Sequence, residues 1–231
     1  PGLVPRALVR TYWFPRWAVI SQISQPGFPT IVAFGGVSIG VFVLTYFVSQ
    51  FGQEAVAAFG AAARIEQVAL LPIIGLDVAS LSLIAQNNGA GLFARIHETL
   101  NTSIRYGIVI MFIGATVITI FAPQLMDLFS DDPQVIAMGV TYVRIKAWVL
   151  PPVAFMFMSF AAMRGIKRPF HALALSMGRS AVVPAILIVL FVGTLGYGIN
   201  AIWWSSFAAN LVTAVGAYLL ARRLLPRVGS S

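Results

Sequence analysis

Ala62-Ala63-Arg64-Ile65-Glu66-Gln67-Val68-Ala69-Leu70-Leu71-Pro72-Ile73-Ile74-Gly75-Leu76-Asp77-Val78-Ala79-Ser80-Leu81-Ser82-Leu83-Ile84-Ala85-Gln86-Asn87-Asn88-Gly89 is the stretch that decides the fold. It is mostly apolar and long enough to cross a bilayer, where roughly 20 residues suffice. It nevertheless holds two carboxylates, and Asp77 lies deep inside it. An ionisable residue at that depth is costly, so it marks a function or a specific partner.

The rest of the chain has the same character. Of its 231 residues, 59% are hydrophobic and 10% charged, and the mean hydropathy is +0.89. Soluble domains carry about 25% charged residues. The composition therefore predicts an all-α polytopic membrane protein rather than a soluble domain. A net charge of +8 would point to nucleic acid in a soluble protein. In a membrane chain, Lys and Arg instead mark cytoplasmic loops, so no nucleic-acid partner is expected. There is no cysteine, hence no disulfide framework and no thiolate metal site. A first residue of Pro rather than Met leads us to expect a fragment or a processed product.

Outward from the opening stretch, hydrophobic runs predict six spans. They fall near 28–50, 55–88, 100–122, 135–163, 171–193 and 199–221. Pro72 is expected to kink the second span, and Pro151-Pro152 to break or kink the fourth. Gly36 and Gly40 form a small-residue pair that lets helices approach closely. Arg16 and Trp17 suggest a short surface helix near 16–25. Basic residues gather at the N-terminus, at Arg95 and Arg105, at Arg164, Lys167, Arg168 and Arg179, and at Arg222, Arg223 and Arg227. The three alternate loops, around 51–54, 123–134 and 195–198, contain no Lys or Arg. Both termini are thus expected in the cytoplasm. The predicted organisation is a linker or interfacial segment over 1–27, a six-helix transmembrane bundle over 28–223 and a cytoplasmic tail over 224–231.

Four groups of residues could carry chemistry. Asp77 is either a proton or sodium site or a packing residue bonded to a neighbouring hydroxyl or amide. Glu66 lies eleven residues earlier, roughly 16 Å along a helix axis and on the same face. It either joins Asp77 in a polar stripe or forms an ion pair with Arg144 or Lys146. Asn210, with Ser205 and Ser206 a turn away, is an interhelical hydrogen-bonding residue or a ligand. Phe155-Met156-Phe157-Met158 is ordinary helix surface or a promiscuous pocket, since Met repacks easily. The sequence has no HExxH, P-loop or GxSxG, and His97 and His171 are isolated. It carries no enzyme signature and no means of using ATP.

Several segments resemble the multidrug and toxic compound extrusion (MATE) family. They are Gln53 to Glu66, Leu71-Pro72-Ile73-Ile74-Gly75-Leu76, Ala85-Gln86-Asn87-Asn88-Gly89-Ala90-Gly91, Met163-Arg164-Gly165 with Pro169, and Gly196 to Trp203. The resemblance covers about residues 28–223 and corresponds to the second of the family's two six-helix lobes. It implies an antiporter in the cell (inner or plasma) membrane. Na+ or H+ would enter while organic, often cationic, compounds leave, with no other cofactor. The N-terminal lobe would be a partner. Cation coupling would fall to Asp77 or Glu66, and substrate contact to Gln67, Met156, Phe157 and Asn210. Some members use acids in the first and fourth helices of this lobe. Neither expected span has one here, so the coupling acid is Asp77, Glu66 or a group in the other lobe. A flippase of lipid-linked substrates with the same architecture, or a non-transporting truncated bundle, are the competing readings.

Overall fold

The computed structural model describes residues 17–188, 190–191 and 198–226. The expectations for Arg6, Arg10, Arg16, Trp13 and Phe14, for the turn at Leu195, Gly196 and Tyr197, and for Arg227 lie outside these residues.

Among the described residues the chain is a bundle of helical runs. Helix α1 is Trp17–Ser49, α2 Gln53–Gly89, α3 Phe93–Ile120 and the short α4 Ala122–Asp127. The broken fourth run is α5 (Pro133–Ala147) and α6 (Leu150–Gly165). The fifth is α7 (Pro169–Met177), a π-helical turn (Gly178–Val182) and α8 (Val183–Ile188). Helix α9 spans Asn200–Leu224. Helices α2, α3 and α9 are each long and apolar enough to cross a membrane, and α5 with α6 qualifies as one span bent by 49°. Large apolar side chains such as Ile31, Phe42, Val68, Leu71, Ile113 and Val212 stand exposed on the outside. Such a surface would aggregate in water and suits lipid. The chain is a helical membrane bundle.

Local chemistry explains the breaks. Gly52 (φ 106°) and Gly91 (φ 70°) bound α2 with backbone conformations that other residues rarely adopt. Asp132 caps α5, accepting the Gln134 amide at 2.8 Å, and Pro133 opens the helix. The fourth span breaks at Trp148-Val149, just ahead of Pro151-Pro152 as expected, because those rings deny the preceding turn its hydrogen bonds. By contrast, α2 runs unbroken through Pro72. The separate surface helix expected at 16–25 is absent: α1 is continuous from Trp17.

The core follows the helix order. Toward the Gly89 end of α2, Ile73 and Ile84 pack with Ile96, Leu100 and Met111 of α3 and with Ala154 and Met158 of α6. Toward its Gln53 end, Phe59 and Ile65 meet Met126, Tyr142 and Trp203. Helix α2 packs along α3, α5 and α6, while α1 lies on α7 and the π-helical turn. The Gly36–Gly40 pair is used there. Gly36 faces Met177, and a methyl group added at Gly40 would run into the Ser180 carbonyl. Gly165 serves α2 in the same way, since a Cβ there would lie 2.6 Å from Ile84.

These contacts predict opposite effects from one substitution. Gly40→Ala should destabilise the fold by about 1–3 kcal/mol through overpacking. Gly216→Ala, in α9 with open space around it, should be neutral or stabilising by up to about 1 kcal/mol. Thermal unfolding in mild detergent checks the contrast.

Candidate functional site

Two acidic residues of α2, Glu66 and Asp77, face the broken span, one on each side of its break. Glu66 Oε1 meets Lys146 Nζ at 3.2 Å. Lys146 is in the last turn of α5, where the helix dipole favours a cation. The Tyr142 hydroxyl donates to Glu66 Oε2 at 3.4 Å. Eleven residues further along α2, Arg164 Nη2 contacts both Asp77 oxygens, at 2.6 and 2.7 Å. Arg164 is in the last turn of α6. The side-chain exposures differ: 10% for Asp77 and 36% for Arg164, 31% for Glu66 and 13% for Lys146.

Glu66 and Asp77 therefore each have a basic partner. The ion pair expected for Glu66 forms with Lys146, while Arg144 turns away and donates to the Thr119 carbonyl at 3.4 Å. Asp77 is held by neither a hydroxyl nor an amide, because Arg164 occupies both of its oxygens. One turn below it, Ser80 donates to Ser103 at 2.7 Å, joining α2 to α3. The shared face of Glu66 and Asp77 is present, but the two do not line one cavity. Glu66, Tyr142 and Lys146 line a small open cleft beside the break, with a volume of about 10 Å³, walled by Ile65, Ile118 and Leu150. Asp77 is not among its lining residues.

The remaining candidates lie elsewhere. Gln67 is exposed on the outer face of α2. Met156 is fully buried among Val153, Met163, Ala214 and Ala217, so it is core rather than pocket lining. Phe157 is partly buried against the same core. Asn210 is buried; its Oδ1 accepts from Arg179 Nη1 at 2.9 Å, and its Nδ2 donates to the Ser206 carbonyl at 2.8 Å. Arg179 is accordingly not a loop residue. It stands in the π-helical turn inside the fifth run and reaches α9. His97 bonds the Pro226 carbonyl at 2.9 Å and is a strut, not a bystander. No group of three His, Asp or Glu side chains able to hold a metal occurs among the described residues.

Comparison with known proteins gives one consistent result. The sequence model of the MatE family matches residues 29–190. The FAD transporter of Shewanella oneidensis is 28% identical, over 90% of this chain and 45% of the relative. The multidrug export protein MepA of Staphylococcus haemolyticus is 26% identical, over 93% of this chain and 46% of the relative. A MOP superfamily transporter from Pyrococcus furiosus superposes with a TM-score of 0.85 at 25% identity, over 92% of this chain and 48% of that one. The chain spans about half the length of these relatives.

The Asp77–Arg164 ion pair predicts an asymmetric pair of substitutions. Arg164→Gln strands a nearly buried carboxylate and should cost about 2–3 kcal/mol. Asp77→Asn leaves a guanidinium that reaches water and should cost about 1 kcal/mol. Equal losses in thermal unfolding, or the reverse order, would contradict this account.

Proposed function

Because the chain belongs to the MatE family, we propose that it is the C-terminal six-helix lobe of a secondary active transporter that exports small organic compounds. The family is one of transporters rather than enzymes. In this reading the exchanged ion is Na+ or H+, the partner is an N-terminal lobe of similar size, and the membrane is the cell (inner or plasma) membrane with both chain ends in the cytoplasm. Relatives named for FAD transport and for multidrug export support a small organic cargo. The chain's half-length match supports a two-lobe assembly.

The observation that carries the mechanism is the position of Glu66. It is a carboxylate thirteen residues into α2, roughly 20 Å from that helix's outer end, beside a broken span and open to a pocket. Discontinuous helices in secondary transporters are where ions and substrates bind. A proton or sodium ion arriving at Glu66 competes with Lys146 for the same oxygens. Its arrival releases α5 from α2 while Asp77 still holds α6 through Arg164. The two halves of the span can then hinge at Trp148-Val149. A cationic group on the cargo competes for Glu66 in the same manner, which is the exchange an antiporter needs. Glu66 is therefore the coupling carboxylate, and Asp77 is the fixed anchor of the hinge.

The test is dye efflux from proteoliposomes containing the full-length transporter, under an imposed Na+ or H+ gradient. Glu66→Gln should lower gradient-driven efflux by about tenfold or more. Asp77→Asn should retain gradient dependence and lose rate only in step with its stability. Wild-type coupling in Glu66→Gln would remove this lobe from the coupling step.

A further inference from the structure

The charges at the middle of the lobe do not balance. Glu66 is already held through both oxygens by Lys146 and Tyr142. Arg179 remains. It makes no ion pair among the described residues. Its Nη1 donates to Asn210, but its Nε is buried without a hydrogen-bond partner. The hydroxyl of the next residue, Ser180, is buried and unpartnered too.

Depth makes this arrangement expensive. Arg179 is ten residues past the start of α7, and Asn210 ten residues past the start of α9. Each is therefore roughly 15 Å from an opposite end of its run. A hydrocarbon core is about 30 Å thick, so the guanidinium lies near its midplane. An unpaired cation there costs several kcal/mol unless an anion meets it. The setting is also built rather than incidental. The π-helical turn, a form that recurs at functional sites, carries Arg179 and Ser180 together. Asn210 is itself fixed by the Ser206 carbonyl, which leaves its oxygen free to orient the guanidinium. Guanidinium N–H groups pair with carboxylates and phosphates in a planar fork.

We infer that Arg179, oriented by Asn210, seats an anionic group, a carboxylate or phosphate, on the compound that the transporter carries. The inference rests on the transport reading above and narrows its cargo to compounds that bear such a group beside any cationic one. It gives the fifth helical run a role in selection, within electrostatic reach of Glu66.

The experiment compares two fluorescent probes, a rhodamine with a free carboxylate and its methyl ester. Binding to the full-length transporter is followed by fluorescence anisotropy in phosphatidylcholine nanodiscs. Wild type should bind the free acid about tenfold more tightly than the ester. Arg179→Gln should bring the two within roughly twofold, and Arg179→Lys should restore part of the preference. Inorganic phosphate should displace the acid from wild type, a result that requires no variant to fold. Nanodiscs with added phosphatidylglycerol separate the sources: displacement by that lipid but not by phosphate assigns the anionic group to a lipid headgroup. Equal wild-type affinity for both probes, or an acid preference that survives Arg179→Gln, overturns the inference. The latter result is expected if a carboxylate from elsewhere in the transporter already pairs with Arg179. Acid preference without gradient-driven efflux would reject the transport reading and leave the anion seat standing.

Discussion

The bundle depends on two ion pairs that hold one continuous helix against one broken helix. Helix α2 is a continuous rail carrying Glu66 and Asp77, and the two halves of the fourth span carry Lys146 and Arg164. A charge in hydrocarbon is tolerated only when paired, so each half of the broken span is obliged to stay on the rail. The pairs are not equivalent. The Asp77–Arg164 pair uses both oxygens of a carboxylate with little exposure, while the Glu66–Lys146 pair opens onto a small cleft. One clasp is thus sealed and the other accessible.

That difference governs how the remaining helices are used. Small residues allow α2 and α6 to approach at Gly165, and α1 to approach the π-helical turn at Gly40. Close backbone contact of this kind is the main source of cohesion among helices surrounded by lipid, where apolar burial gives little advantage. The polar groups then decide position rather than stability. Ser80 with Ser103, Tyr142 with Glu66, and Asn210 with Arg179 each join two helices at a defined height.

Much of this was legible in the sequence. Hydrophobic run length gave the spans at α2, α3 and α9, and the double proline gave the break in the fourth, because both reflect backbone hydrogen bonding that no tertiary contact can override in lipid. Glu66 and Asp77 were visible as acids on one face of a helix, and comparable depth narrowed the partner of Glu66 to Arg144 or Lys146, of which the structure uses Lys146. The partner of Asp77 was not visible. Arg164 adjoins a basic turn, and a count of loop charges absorbs it with Lys167 and Arg168. Arg179 was hidden for the same reason, since the irregular turn that carries it inward has no sequence signature. Met156 and Asn210 show the opposite limit: residue type marks what a side chain can do, but burial decides what it does. Charged residues a few positions inside a span end are the ones to examine singly rather than to sum.

The π-helical turn has a consequence for how this chain can change. A π turn holds one residue more than the α-helical turn it replaces. Deleting one residue between Gly178 and Val182 would restore regular winding and leave the helix beyond the turn nearly in place, because the extra residue is taken up within the turn itself. What would be lost is local: the outward set of the Ser180 carbonyl against Gly40 and the reach of Arg179 to Asn210. The turn therefore lets one residue come or go without re-indexing a membrane span, and its effect is confined to the groups it carries.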